Sequence, residues 1–216
     1  MTDREKRADA APTMQDGNVA EAPQARWLPW AAVAMALAVG LVFQGSRGIF
    51  DTAEGRYAET ARETVLSGDL DDPVLQGEPH WTKPPLTYFA IMGGVRVFGH
   101  NPWGVRAYLV LALVATVAAV GWAGAAIWDR QTGGLAALVA ATSPFVAAAA
   151  NVASTDMLLA AWVAVALACF FHGSCRRSPG AFVWTGVALG LGFLTKGPIA
   201  LLVPLSVIVA FQAAPR

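Results

Sequence analysis

Most of the ionisable residues that could do chemistry in this sequence stand in four clusters, each beside or inside an apolar run, where an unused charge is expensive to keep. The first cluster is Phe50-Asp51-Thr52-Ala53-Glu54-Gly55-Arg56-Tyr57-Ala58-Glu59, with Arg62 and Glu63 continuing at helical spacing. A carboxylate at a membrane surface can take a proton from an acceptor group or hold a divalent cation facing phosphate. Glu54 is the stronger candidate for that work and Asp51 the second. The same pair also fits a capping box, Asp51 and Glu54 each satisfying a backbone N–H at a helix start. Arg56 can meet phosphate. Arg62 is spaced to pair with Glu59 at i, i+3, which makes it structural.

The second cluster is His80-Trp81-Thr82-Lys83-Pro84-Pro85-Leu86. Two prolines stiffen the chain and exclude a helix before Pro84, so Lys83 is held in an extended entry to whatever follows. An ammonium fixed at headgroup level suits phosphate, although lysines also snorkel there without a ligand. His80 has no second His or Cys at metal-ligand spacing and reads as a solvated loop residue. The third cluster, Asn151-Val152-Ala153-Ser154-Thr155-Asp156, separates two apolar runs. There Thr155 or Asp156 either caps the next helix or offers a second acidic site. The fourth is Lys196, in Leu194-Thr195-Lys196-Gly197-Pro198, which needs an anionic partner in protein or substrate.

What must position these residues is a set of membrane-crossing helices. Of 216 residues, 56% are hydrophobic and 14% charged, far below the quarter or so that is charged in soluble domains. Runs long enough to cross the bilayer lie near 27–45, 104–128, 132–153, 156–173 and 181–212, the last too long for one helix and broken at Lys196-Gly197-Pro198. The stretch 84–98 is short for a span and carries Arg96. If it lies flat on the membrane, Arg130 and the Arg176/Arg177 pair face the cytoplasm, as the bias of Lys and Arg toward cytoplasmic loops prefers. The expected topology therefore puts residues 1–26, a disordered charged tail, inside and the loop 46–103 outside. Residues 151–156 also lie outside, and Lys196 outside or at membrane depth. The expected fold is all-α: a polytopic transmembrane bundle over 27–216, with amphipathic juxtamembrane helices in the first external loop.

The net charge is zero, with no basic stripe, so nucleic acid is not an expected partner. Cys169 and Cys175 read as packing residues. Trp81, Trp103, Trp128 and Trp184 read as interfacial anchors.

Taken in order, Glu54-Gly55-Arg56-Tyr57-Ala58-Glu59, Ala61-Arg62-Glu63, Ser67-Gly68-Asp69, Lys83-Pro84-Pro85, Gly104-Val105-Arg106, Asp156 and Thr195-Lys196-Gly197 resemble the aminoarabinose-transferase and protein-mannosyltransferase-like family. These are membrane glycosyltransferases of the GT-C class, and the likeness runs over roughly residues 45 to 205. The resemblance implies transfer of a sugar from a polyprenyl-phosphate carrier to a lipid acceptor such as lipid A, or to a protein, outside the bacterial inner membrane. It implies phosphate contacts for Lys83 and Lys196 and a second acidic site at Asp156. The family's first external loop carries an Asp-Glu pair whose aspartate is taken as catalytic or as organising the donor phosphate. Here that pair reads Ala53-Glu54, so Asp51 or Glu54 must supply the carboxylate. Family members are longer, which gives this chain the look of a fragment, one whose donor pocket would be open and inactive alone. The competing reading from the residues is a transporter or flippase-like protein, which the broken run at Lys196-Gly197-Pro198 would also suit but which lacks a visible inverted repeat. No cofactor is called for beyond the divalent cation that the carboxylates could hold.

Overall fold

The structure, a computed structural model, describes residues 26–42, 44–49, 52–68, 72–80 and 82–214. In chain order these form α1 (Leu28–Val42), α2 (Thr52–Ser67), β1 (Val74–Leu75), β2 (Glu78–Pro79), α3 (Leu86–Phe98), α4 (Pro102–Ile127), α5 (Arg130–Thr142), α6 (Pro144–Ala149), α7 (Thr155–Arg176), α8 (Pro179–Lys196) and α9 (Ile199–Ala213). The tail expected over 1–26 lies outside the described residues except for Arg26, and so does Asp51.

Helix length sorts the elements. With 26 and 22 residues, α4 and α7 are about 39 and 33 Å long, enough for some 30 Å of hydrocarbon. Both are apolar enough to cross. At 13 residues, α3 is about 20 Å long and falls short. Asn101 starts α4 by accepting the Gly104 N–H at 3.0 Å, and Pro102 occupies the first turn, where a missing N–H costs nothing. The run expected over 132–153 divides instead into α5 and α6, because Pro144 cannot continue the helix that Thr142 ends. The last run divides where expected. Gly197, with φ 75° and ψ −148°, takes a conformation open only to glycine, and Pro198 follows it into α9.

The centre of the bundle is α4, which touches α1, α3, α5 and α7. Its Leu109, Leu113 and Val117 are fully buried among Ala36 of α1, Ile91 of α3, Ala141 of α5 and Met157 of α7. Small residues let the backbones close: a Cβ on Gly133 of α5 would strike the Gly121 carbonyl and the Ala125 amide of α4. Outside this core the large side chains point away from protein, Leu111 being 74% exposed, Phe145 84% and Leu202 67%. Such a belt suits hydrocarbon rather than water. The fold is therefore an all-α polytopic transmembrane bundle.

Between α1 and α4 the chain builds a small polar layer. The helix α3 buries Thr87, Tyr88, Ile91, Met92 and Val95 and leaves Arg96 exposed, the stripe of an amphipathic helix. A hairpin that the sequence reading did not foresee pairs β1 with β2 across Gln76 and Gly77, both with positive φ. It is tied to α2 by the Val74 N–H donating to Thr64 Oγ1 at 2.9 Å and the Gly77 N–H donating to Glu63 Oε2 at 3.2 Å.

Candidate active site

All the described site residues expected from sequence gather at one end of the bundle, in two sets with different chemistry. The first set is closed. Arg106, one turn into α4, is fully buried and forms a two-pronged pair with Glu54 of α2, Nε to Oε1 at 2.7 Å and Nη2 to Oε2 at 2.8 Å. Its remaining N–H groups donate to the carbonyls of Gln44 and Arg47, each at 2.8 Å, and of Gly48 at 3.0 Å. Glu54 Oε1 also accepts the Ala153 N–H at 2.9 Å. Burial by itself would raise the Glu54 pKa, but the Arg106 hydrogen bonds, the Ala153 amide and the positive charges of Arg106 and Arg47 outweigh it and hold the carboxyl below its ordinary range. The same turn is held from α1's end by Gln44 Nε2 donating to the Ala150 carbonyl at 2.8 Å and by Arg47 donating to the Asn151 carbonyl. Tyr108 of α4 adds a hydrogen bond from its hydroxyl to the Ser154 carbonyl at 2.7 Å.

The second set is open. Asp156, in the first turn of α7, pairs through Oδ1 with Lys196 Nζ at the end of α8. The side chains remain 59% and 31% exposed, so water or a ligand can reach both. The cap of α7 is Ser154, whose Oγ accepts the Asp156 N–H at 3.2 Å, rather than Thr155 or Asp156. Asp156 is thus free of capping duty and answers the need of Lys196 for an anion. Beside the pair, Arg56, Tyr57, His80, Thr82, Lys83 and Tyr88 line a polar pocket of about 260 Å³. The Tyr57 and Tyr88 rings meet at 5.5 Å. Burial pushes the Tyr57 hydroxyl's pKa up, and the neighbouring Asp156 charge adds to that. His80 is occupied with the Thr82 hydroxyl at 2.8 Å. Among the described residues no three of His, Cys, Asp and Glu converge on a metal-sized space.

At the same end of the bundle, an apolar groove of about 630 Å³ runs between α3, α4 and α7, with Phe89 in its wall next in sequence to Tyr88 of the polar pocket. Its walls include Phe89, Trp103, Tyr108, Leu158 and Trp162.

The sequence reading missed the partner of Glu54. The signal was present, since Arg106 is the one charged residue of α4's apolar 102–127 stretch and a charge inside a span demands an anion. It also missed Gln44 and Arg47, whose role depends on the carbonyls they reach.

Helices that cross a bilayer, with charged side chains gathered at one end beside an apolar groove, define a polytopic membrane protein with its polar site at the end of the bundle. The chain belongs to the dolichyl-phosphate-mannose-protein mannosyltransferase family, whose model matches residues 82–215. Over 177 residues it is 33% identical to the undecaprenyl phosphate-alpha-4-amino-4-deoxy-L-arabinose arabinosyl transferase of Pseudomonas aeruginosa (strain LESB58), covering 80% of this chain and 32% of that protein. Over 181 residues it is 30% identical to the transferase of the same description from Yersinia enterocolitica, covering 80% of this chain and 33% of that one. The ArnT of Cupriavidus metallidurans bound to undecaprenyl phosphate superposes with a TM-score of 0.74 at 28% identity, over 85% of this chain and 35% of that one. The chain thus spans about a third of the length of the curated relatives it matches.

Proposed function

We propose that this chain forms the carrier-binding part of a glycosyltransferase that moves a sugar from polyprenyl phosphate to a lipid acceptor of lipid A type, or to a protein. The observation that carries the reading is that Lys83, Arg56 and the Asp156–Lys196 pair stand at the same end of the bundle as an apolar groove. A polyprenyl phosphate is an anionic head on a long apolar tail, and a related structure holds undecaprenyl phosphate. The groove takes the first isoprene units, and Lys83, Lys196 and Arg56 face the phosphate.

In the reaction the bond from the sugar's anomeric carbon to the carrier phosphate breaks as a bond to the acceptor oxygen forms. Positive charge develops on the sugar ring and negative charge on the departing phosphate. Lysines already fixed near that phosphate stabilise the second charge without reorganising. Asp156 and Asp51, the latter outside the described residues, are the carboxylates left to orient or deprotonate the acceptor. Glu54 is a positioning residue: with both oxygens engaged by Arg106 and the Ala153 amide, it fixes the turn that presents Asp156. An acceptor phosphate would already be anionic and need orientation alone.

The same reading puts the protein in a bacterial inner membrane, the N-terminus in the cytoplasm and the site outside. Arg130, Arg176 and Arg177 all stand at the opposite end of the bundle, which supports that orientation.

The test is transfer from a radiolabelled polyprenyl-phosphate sugar in membranes carrying the reading frame to which this chain belongs. Lys83→Ala should lower transfer about a hundredfold or more at unchanged protein level. Transfer untouched by Lys83→Ala, Asp156→Asn and Asp51→Asn alike, or absent with every donor, would move the reading to a transporter. Repeating the assay with a chelator decides whether a divalent cation works beside the lysines.

A further inference from the structure

At the end of the bundle away from Lys83 and Asp156, a second groove, of about 270 Å³, opens between α1, α4 and α5. Val33, Ala118, Gly121 and Trp122 line its length, while Trp30 and Arg130 belong to the first turns of α1 and α5 and stand at its outer end. Along α4 it runs from Val117 to Ala125, about 12 Å at 1.5 Å per residue. The transfer chemistry makes no use of it.

Charge at this end is one-sided. Arg26, Arg130, Arg176 and Arg177 lie here, and Asp129 is the only acid among the described residues of this end. Asp129 is engaged as the cap of α5: Oδ1 accepts the Gln131 and Thr132 N–H groups, and Oδ2 accepts the Thr132 hydroxyl. Arg130 makes no salt bridge among the described residues. Arg176 bends to the rim of the groove and donates to the Ala125 carbonyl at 3.2 Å. Around them Trp30 and Trp128 are 76% and 67% exposed, as indoles are at the headgroup level of a membrane. Trp122, in the groove wall, meets the His172 ring at a tilt, with centroids 5.0 Å apart.

An apolar slot between spanning helices, ending in guanidinium groups at headgroup level, matches one kind of molecule. We propose that this groove binds an anionic phospholipid, one acyl chain lying along α4 and the phosphodiester held between Arg130 and Arg176. A zwitterionic lipid fits the slot less well, because its phosphate already has a cation and the arginines gain little by meeting it. Basic pockets between spanning helices take anionic headgroups for this reason.

The experiment is native mass spectrometry of the purified chain after incubation with dioleoylphosphatidylglycerol or dioleoylphosphatidylcholine. The anionic lipid should be retained about tenfold more than the zwitterionic one, and Arg130→Gln should remove most of that preference. Ala118→Phe, at an exposed groove position away from the buried core, should lower retention of both lipids. Equal retention of the two lipids, or no change in Arg130→Gln or in Ala118→Phe, would overturn the proposal. So would an equal loss in Arg96→Gln, on α3 at the other end, since the effect would then be diffuse surface charge.

Discussion

Two ion pairs tie the polar end of the bundle together, and they are opposites. Glu54–Arg106 is a two-pronged pair whose side chains are 2% and 0% exposed, and among the described residues four backbone groups add hydrogen bonds to it. Asp156–Lys196 is a single contact between side chains 59% and 31% exposed. Both join distant segments, α2 to α4 and α7 to α8. A pair with no vacancy cannot exchange its partner for a ligand without leaving a bare charge in a dry place, whereas a solvent-reached pair can trade one anion for another at small cost. Under the proposed function, the difference gives structure to the first and substrate handling to the second.

Breaking the closed pair should have the largest effect. Glu54→Gln leaves the Arg106 guanidinium buried without its anion, and should destabilise by about 3–5 kcal/mol. Thermal unfolding in detergent, with membrane yield beside it, measures this. Glu54→Gln combined with Arg106→Met should recover part of the loss, because no lone charge remains. If Glu54→Gln instead unfolds like the parent and has lost transfer alone, Glu54 acts on the substrate and the contrast between the pairs collapses. Breaking the open pair should come next, and in the other observable. Lys196→Ala should shift stability by less than about 1 kcal/mol yet cut transfer by about a hundredfold.

The sequence makes the architecture legible to different depths in different places, and the physics says why. Long apolar runs announce α4 and α7 because the bilayer fixes both length and polarity, and the break at Gly197-Pro198 follows from what those two residues forbid. The division at Pro144 was readable by the same rule and went unread. The four polar clusters were also legible, since charge next to lipid stands out. Which charges meet was not. Glu54 and Arg106 are 52 residues apart, Asp156 and Lys196 are 40 apart, and pairing over such distances is decided by how helices stack, about which local spacing is silent. Local spacing did find Glu59 and Arg62, which form their pair at 2.6 and 2.9 Å on one face of α2. Small elements escape altogether. The hairpin has two residues in each strand, too few for any alternation to show.

Acid offers a gentler way to open the closed pair. The folded Glu54 carboxyl titrates below its ordinary 4.5, so its contribution to stability is complete above that value and disappears as the pH falls through the lower, folded one. The unfolding midpoint of the parent should therefore fall between about pH 6 and pH 3. In Glu54→Gln the fall should be shallower. An unchanged slope would mean that other carboxylates carry the acid sensitivity.

Glu59→Gln should have the smallest effect, and it separates pairing from burial. Arg62 holds the Glu59 carboxyl below its usual range chiefly by hydrogen bonding, as Arg106 does for Glu54. Yet both side chains of this pair are more than two-fifths exposed, and water screens the charge and replaces the lost bonds. Removing the Glu59 charge should leave the unfolding midpoint and the transfer rate where they were. If Glu59→Gln were to destabilise as Glu54→Gln does, the face of α2 that carries Glu59 would have to be covered in the membrane by something beyond the described residues. Burial in the folded chain alone would then no longer rank the three pairs.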